Sequence, residues 1–339
     1  MAIDKTNNTG LVLKGVRKEF QKIVAVDDLS FVVPRGSMFG LLGANGAGKT
    51  TTLRMILNIL SPDAGTITWN GQPAVKVDRS NFGYLPEERG LYTRMKVGDE
   101  LVFLSGLYGI PGAEANRRAH EWLEKLGLGD AWNRKVEELS KGNQQKVQVL
   151  AAILHEPDLM LMDEPFSGLD PINTEVLRDT LFQRQAEGRT IVFSSHRLEQ
   201  VEEICDHVAM IHRGRLLMSG LLSDLKQRSG RKMVELAFMP ADGQPPNLGT
   251  FMESLAPLHL LVHEQRADSV RFEMTDGVKP DQLLAQAIKY GPTDVRRFEL
   301  AEPSLQEIFI SAVQAADPQA VEQLAQEGTL PGAKVLTEG

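Results

Sequence analysis

Hydrophobic positions follow two rhythms along this chain. LVLKGVRKEF (11–20) and VDDLSFVV (26–33) mix β-branched residues with alternation, the period of a strand with one buried face, and Pro34–Gly36 closes them. MFGLLG (38–43) is a short apolar run ending in glycine, as a buried strand would be. TTLRMILNIL (51–60) has helical spacing and stops at SPDAG (61–65), a turn, and TITWNG (66–71) reads as strand and turn. Residues 96–126 predict mostly helix, interrupted by YGIPG (108–112). DLMLMDE (158–164) and TIVFSSH (190–196) are apolar runs that end in polar residues, which suits parallel strands buried on both faces. Helix is predicted over 172–187, and VEEICDHVAMIHRGRLLMSG (201–220) predicts a helix followed by a hairpin turning at Arg213–Gly214.

Strands that alternate with helices predict an α/β fold with a mainly parallel sheet, whose binding site lies at the carboxyl ends of the strands. The rhythm changes after about residue 230. KMVELAF (232–238), LHLLVHE (258–264), SVRFEM (269–274) and DVRRFEL (294–300) read as strands, with helical stretches near 248–256 and 280–290. That order, β-α-β-β-α-β, predicts a small ferredoxin-like α+β domain. PSLQEIFISAV (303–313) reads as a closing amphipathic helix. The expected organisation is residues 1–228 as one domain, with a helical subdomain at about 90–150, then 229–314 as an accessory domain and 315–339 as a polar, mobile tail.

Composition narrows the function classes. At 339 residues with 42% hydrophobic and 24% charged, the chain has the make-up of a globular protein of about two domains. It contains no run of about 18 apolar residues, so no membrane span is expected. MAIDKTNNTG lacks the apolar core of a secretory signal, and the single Cys205 excludes an internal disulfide; both lead to the expectation of a reducing, cytoplasmic location. The net charge of −8 is uneven: residues 1–230 hold 28 Lys and Arg against 29 Asp and Glu, while 231–339 hold 9 against 16. Neither part has the basic character of a nucleic-acid binder, so no nucleic-acid partner is expected.

The candidate chemistry sits at the predicted strand ends. GANGAGKT (43–50) follows a strand, precedes a helix and matches G-x-x-x-x-G-K-[ST]. Such a loop wraps a polyphosphate with its own N–H groups, hence Gly43, Gly46 and Gly48. Lys49 reaches the terminal phosphates, Thr50 can ligate Mg²⁺, and the helix N-terminus favours negative charge. At the end of the next apolar run, Asp163 is placed to hold Mg²⁺, and Glu164 to orient or deprotonate an attacking water. LSKGNQQK (139–146) has a Ser before a Gly-containing start, the mark of a capped helix N-terminus that attracts anions; alone it does not say which anion.

A phosphate loop, a Leu-Ser-x-Gly stretch, an apolar strand ending in Asp-Glu, SGLD (167–170) and a strand ending in His196 stand here in that order. Over about residues 11–225 the chain resembles the ATP-binding subunits of ABC transporters. The resemblance implies a phosphate-loop ATPase core with an N-terminal antiparallel β subdomain and a helical subdomain. It implies ATP and Mg²⁺ as cofactors, a polytopic membrane permease as partner, and a location on the inner face of the cell membrane through that permease. It further implies two ATPase domains, a homodimer or sister subunits, stacked head to tail. Ser140 and Gly142 of one would then cap the γ-phosphate held by the other. Carried over residue by residue, Phe20 stacks on adenine; Asn45 and Thr51 join the phosphate loop in binding nucleotide; Asp170 lies at the dimer interface; His196 contacts the γ-phosphate. Two positions depart from the family pattern. Lys141 and Asn143 give LSKGN where LSGGQ is usual, and Glu87 in GYLPEERGLY (83–92) stands where many members have Gln, a position that senses Mg²⁺ or water. YLPEERGLY, EPSLQEIFI and the extra C-terminal domain are similar to the NatA-like type, associated with sodium or drug export. A regulatory or non-transport ABC ATPase is the alternative reading.

Overall fold

The computed structural model describes residues 10–317 except 89, 230–231, 241–243, 245, 259 and 275–277. Residues 318–339 of the expected mobile tail therefore lie outside the described residues. The chain divides into two compact units, one ending at Leu222 and one beginning at Ser223.

In the first unit β1 (Leu11–Phe20) pairs antiparallel with β2 (Ile23–Val33). β3 (Met38–Leu42) runs through the glycine-rich loop into α1 (Lys49–Ile56). β4 (Ala64–Trp69) pairs with the other side of β1, and the two-residue β5 (Gln72–Pro73) completes an antiparallel sheet of order β2-β1-β4-β5. Leu11, Leu13, Phe31, Val33, Ile67 and Trp69 of this sheet share one core with Phe39, Leu41, Leu161, Val192 and Ile211 of the second sheet. The rings of Phe31 and Phe39 stack with centroids 5.5 Å apart. Burying side chains of this size contributes roughly 1.5–3 kcal/mol each, so facing apolar positions rather than strand ladders hold the two sheets together.

The remaining elements of this unit are β6 (Phe82–Leu85), α2 (Val97–Leu107), α3 (Gly112–Lys125), α4 (Lys141–Ile153), β7 (Leu159–Asp163), α5 (Pro171–Ala186), β8 (Thr190–Ser195), α6 (Leu198–Ile204), β9 (His207–His212) and β10 (Arg215–Leu221). The second sheet has the order β10-β9-β3-β8-β7-β6. All its pairs are parallel except β10 with β9, the hairpin expected at Arg213–Gly214. Every residue of β3, β7 and β8 is buried, as their unbroken apolar runs require. The sequence pattern does not reveal β6. It has four residues, and Gly83 in its middle removes the β-propensity signal. The reason for that glycine is tertiary: a Cβ at Gly83 would stand 2.3 Å from the Ala152 carbonyl oxygen, so α4 can pass over the strand only where there is no side chain.

After α7 (Leu222–Arg228), β11 (Lys232–Phe238), α8 (Gly249–Leu255), β12 (Leu261–Gln265), β13 (Ser269–Met274), α9 (Pro280–Tyr290) and β14 (Val295–Ala301) follow. The sheet order β12-β13-β11-β14, antiparallel throughout, is the ferredoxin-like arrangement expected from the element order. Val234, Leu236 and Phe238 pack with Phe251, Leu255, Leu283 and Ala287 of the two helices. The closing helix is α10 (Leu305–Ala316), which begins in a capping box of Ser304 and Glu307 and so overlaps the first two residues of the expected tail.

Candidate functional site

The strand order places four chemical segments in one row at the carboxyl edge of the parallel sheet. β3 delivers the glycine-rich loop, β8 delivers His196, β7 delivers Asp163 and Glu164, and β6 delivers the loop that carries Glu87. Burial of the strands fixes their register, with Leu42 opposite Ser195 and Asp163 opposite Ser194.

The three loop glycines differ in what requires them. Gly46, at φ 77°, has nothing within 4 Å of a Cβ position, so its missing side chain leaves open space above the loop. Gly43 and Gly48 are instead pressed against the protein's own backbone. Cβ atoms there would lie 2.3 Å from the Ile211 carbonyl oxygen and 2.5 Å from the Ala25 carbonyl oxygen. Room for phosphate, the reason drawn from the sequence for all three, is thus joined at two of them by close packing on β9 and β2. Gly48, at φ 102°, is also the N-cap of α1.

Lys49 is only 6% exposed and curls back over the loop. Its Nζ donates to the Gly43 carbonyl at 2.8 Å and the Ala44 carbonyl at 3.1 Å, and stands 3.9 Å from Glu164 Oε1. Burial pushes its pKa down, and the charges of Glu164, Asp163 and Glu87 oppose that shift. These three carboxylates therefore face one buried ammonium, although Glu87 is itself exposed.

Glu164 sits in the left-handed region at φ 49°, a conformation costing of order 1–3 kcal/mol for a residue with a side chain. Its N–H donates to Ser194 Oγ at 3.1 Å, and its Oε1 accepts from His196 Nδ1 at 2.8 Å. A carboxylate can only accept, so His196 carries a proton on Nδ1. Asp163, 1% exposed, accepts from Ser194 Oγ on Oδ1, while its buried Oδ2 has no hydrogen-bond partner among the described residues. Ser194 was not singled out in the sequence, yet its single hydroxyl serves both acids. The only signal was a serine within an apolar strand; that it lies opposite Asp163 follows from strand register alone.

Ser140, Gly142 and Asp170 form a second group. Ser140 is the N-cap of α4, its Oγ accepting from the Asn143 N–H at 3.3 Å, as the LSKGN pattern predicts. Asp170 caps α5, whose first residue is Pro171. Gln145 of α4 donates to the Pro165 carbonyl at 3.0 Å, and Gln148 donates to the Pro86 and Glu88 carbonyls at 3.1 Å each. Neither glutamine was foreseen. Together they fasten α4 to the segment after Glu164 and to the loop holding Glu87. Phe20, at the end of β1, is 43% exposed with Lys18 Nζ 5.5 Å from its ring centroid, so it is not a core residue. Asn45 is exposed, and Thr50 and Thr51 are half-buried at the start of α1.

Residues 26–167 match the family model described as ABC transporter, and residues 220–313 match one described as ATP-binding protein DrrA1-3-like, C-terminal domain. Among curated relatives, the uncharacterized ABC transporter ATP-binding protein YhaQ of Bacillus subtilis (strain 168) is 43% identical over 90% of this chain and 99% of its own length. The ABC transporter ATP-binding protein NatA of the same organism is 38% identical over 68% of this chain and 96% of its own. The linearmycin resistance ATP-binding protein LnrL, also from that organism, is 35% identical over 65% of this chain and 72% of its own. A solved structure of an ATP-binding subunit of an ABC transporter superposes with a TM-score of 0.61 at 34% identity, over 66% of this chain and 94% of that one.

Proposed function

The chain belongs to the ABC transporter ATP-binding proteins, which bind and hydrolyse ATP to power a membrane permease, and on that footing we propose that it drives export by ATP-dependent head-to-tail closure of two copies or sister subunits. Among the described residues no helix is long and apolar enough to cross a membrane, which fits a division of labour with a separate permease at the inner face of the membrane. Export is supported by the likeness to LnrL, a resistance protein by name.

The observation that carries the mechanism is the fixing of Glu164 beside the phosphate loop by Ser194 and His196. In the proposed cycle, Lys49 leaves the Gly43 and Ala44 carbonyls and binds the β- and γ-phosphates, while the N–H groups of Asn45 to Thr51 wrap the polyphosphate. Phe20, exposed at the end of β1, stacks on the adenine. Glu164 takes a hydrogen bond from water and orients it for in-line attack, and His196 keeps that carboxylate aligned. Ser140 and Gly142 of the opposite subunit offset charge on the γ-phosphate, and Asp170 lies where the two subunits meet. Thr50, Asp163 and Glu87 are an oxygen-only donor set, and the unpartnered buried Asp163 Oδ2 is the kind of ligand a hard cation satisfies. They would hold Mg²⁺, which when bound supplies charge neutralisation on the phosphates.

Glu164→Gln tests this reading. Turnover should fall roughly 10²–10⁴-fold while ATP binding and ATP-dependent dimers persist, the dimers read by size-exclusion chromatography. Near-normal turnover would reject the role of Glu164, and unchanged nucleotide affinity in Lys49→Ala would reject the cradle.

A further inference from the structure

Two helix N-termini converge in the second group of site residues. α4 starts behind Ser140, and α5 starts behind Asp170. Asn173, in the first turn of α5, engages both oxygens of the Asp170 carboxylate. Its N–H donates to Oδ1 at 2.9 Å and its Nδ2 donates to Oδ2. The same amide meets α4. A Cβ placed on Gly142 would stand 2.7 Å from Asn173 Nδ2, 3.3 Å from its Cγ and 3.7 Å from Asp170 Oδ2. Lys146, one turn further along α4, also feels the Asp170 charge, so that carboxylate faces α4.

We infer that Asn173 is a positioning residue that ties the Leu-Ser-x-Gly segment to Asp170 within one subunit, so that phosphate arriving at Ser140 and Gly142 moves the Asp170 loop with it. This rests on the proposed placement of Ser140 and Gly142 at the partner's nucleotide. The steric argument is specific. Nδ2 is the free end of a side chain and could swing away from a methyl group at position 142. Doing so breaks its bond to Asp170. Glycine at 142 therefore serves the link to Asp170 as well as access for a phosphate. The closing of the dimer on one nucleotide then reaches the Asp170 of the same subunit through a single amide, with no hinge between them.

The test is a double-mutant cycle on the full chain, with steady-state ATP turnover and melting temperature measured for each variant. Asn173→Ala is expected to lower kcat about 10-fold, the scale of one charge-assisted hydrogen bond, with KM for ATP nearly unchanged. Gly142→Ala should lower it too, and the double variant should fall by less than the product of the two single losses, because the methyl group no longer has an amide to displace and only its cost to phosphate access remains. Losses that multiply would overturn the inference. Asn173→Asp separates positioning from capping. A carboxylate in the first turn favours the helix, so a capping role alone predicts an equal or higher melting temperature with normal turnover. Positioning predicts lost turnover, since that side chain cannot donate to Asp170; normal turnover in Asn173→Asp overturns the inference. Ser140→Ala tells the two levels apart. Impaired turnover in Ser140→Ala together with multiplying losses refutes the Asn173 link alone. Normal turnover in Ser140→Ala refutes the placement of the segment at the nucleotide, and the link with it.

Discussion

Ser194→Ala is the perturbation whose consequences can be worked furthest. Ser194 is fully buried and Asp163 is 1% exposed, so water cannot replace the lost hydroxyl. Asp163 Oδ2 already lacks a partner, and the change leaves Oδ1 without one as well. A hydrogen bond to a charged group contributes about 1.5–3 kcal/mol. Glu164 loses less, because its N–H also lies 3.3 Å from the Ser194 carbonyl oxygen, which remains. For a unit of this size, each kcal/mol moves the melting temperature by about 2–4 °C, which gives a fall of roughly 3–12 °C for the nucleotide-free protein. Adding Mg²⁺ and ATP should raise the variant's melting temperature by more than it raises the unaltered protein's, because a cation at Asp163 would satisfy the orphaned carboxylate. Turnover should also drop, since Glu164 is held at φ 49° partly through this hydroxyl. The assay is thermal unfolding with and without Mg²⁺-ATP, alongside phosphate release. Melting within about 1 °C of the parent, with normal turnover, would refute the claim that Ser194 ties the two acids together.

Two further outcomes are expected. Phe20→Ala should weaken ATP binding by roughly 1–3 kcal/mol, the scale of one base-stacking aromatic, and weaken GTP binding comparably, as measured by titration of fluorescent analogues. The second concerns pH. Burial holds His155 below the usual imidazole value of 6.5, with its ring stacked on Tyr108 at 3.8 Å and Nε2 bonded to the Phe82 carbonyl at 3.0 Å. As pH falls through about 6.5 the unfolded chain binds a proton that the folded one does not, so this contribution to stability is full above that value and is lost below it. Urea unfolding should show a stability loss between about pH 7.5 and 5.5 that is smaller in His155→Phe, whose side chain does not titrate; identical slopes would refute it.

What could be read from the chain alone was whatever depends on neighbours in sequence. The glycine-rich loop, the Ser140 cap, the helix over 172–187 and the hairpin at Arg213–Gly214 are each encoded in a short stretch, and the structure has them within a residue of where the pattern put them, α5 running from Pro171 to Ala186. The β-α-β-β-α-β order of the second unit was legible for the same reason, since element type follows local periodicity. β6 was missed because four residues around a glycine carry too little pattern, and the glycine answers to α4, which lies far along the chain.

Strand order was a different kind of question. The apolar runs at 38–43, 158–164 and 190–196 are interchangeable in composition, so nothing in their residues says that β8 lies between β3 and β7. That order brings Ser194 opposite Asp163 and His196 against Glu164 across 31 and 32 residues of chain. The same holds for Gln148 on the Pro86 and Glu88 carbonyls and for Gly142 against Asn173. Sequence named the groups that do chemistry, because chemistry restricts which residue types serve. The tertiary structure alone chose the residues that hold them in place, because a hydrogen bond between distant segments is fixed by packing that neither segment encodes by itself.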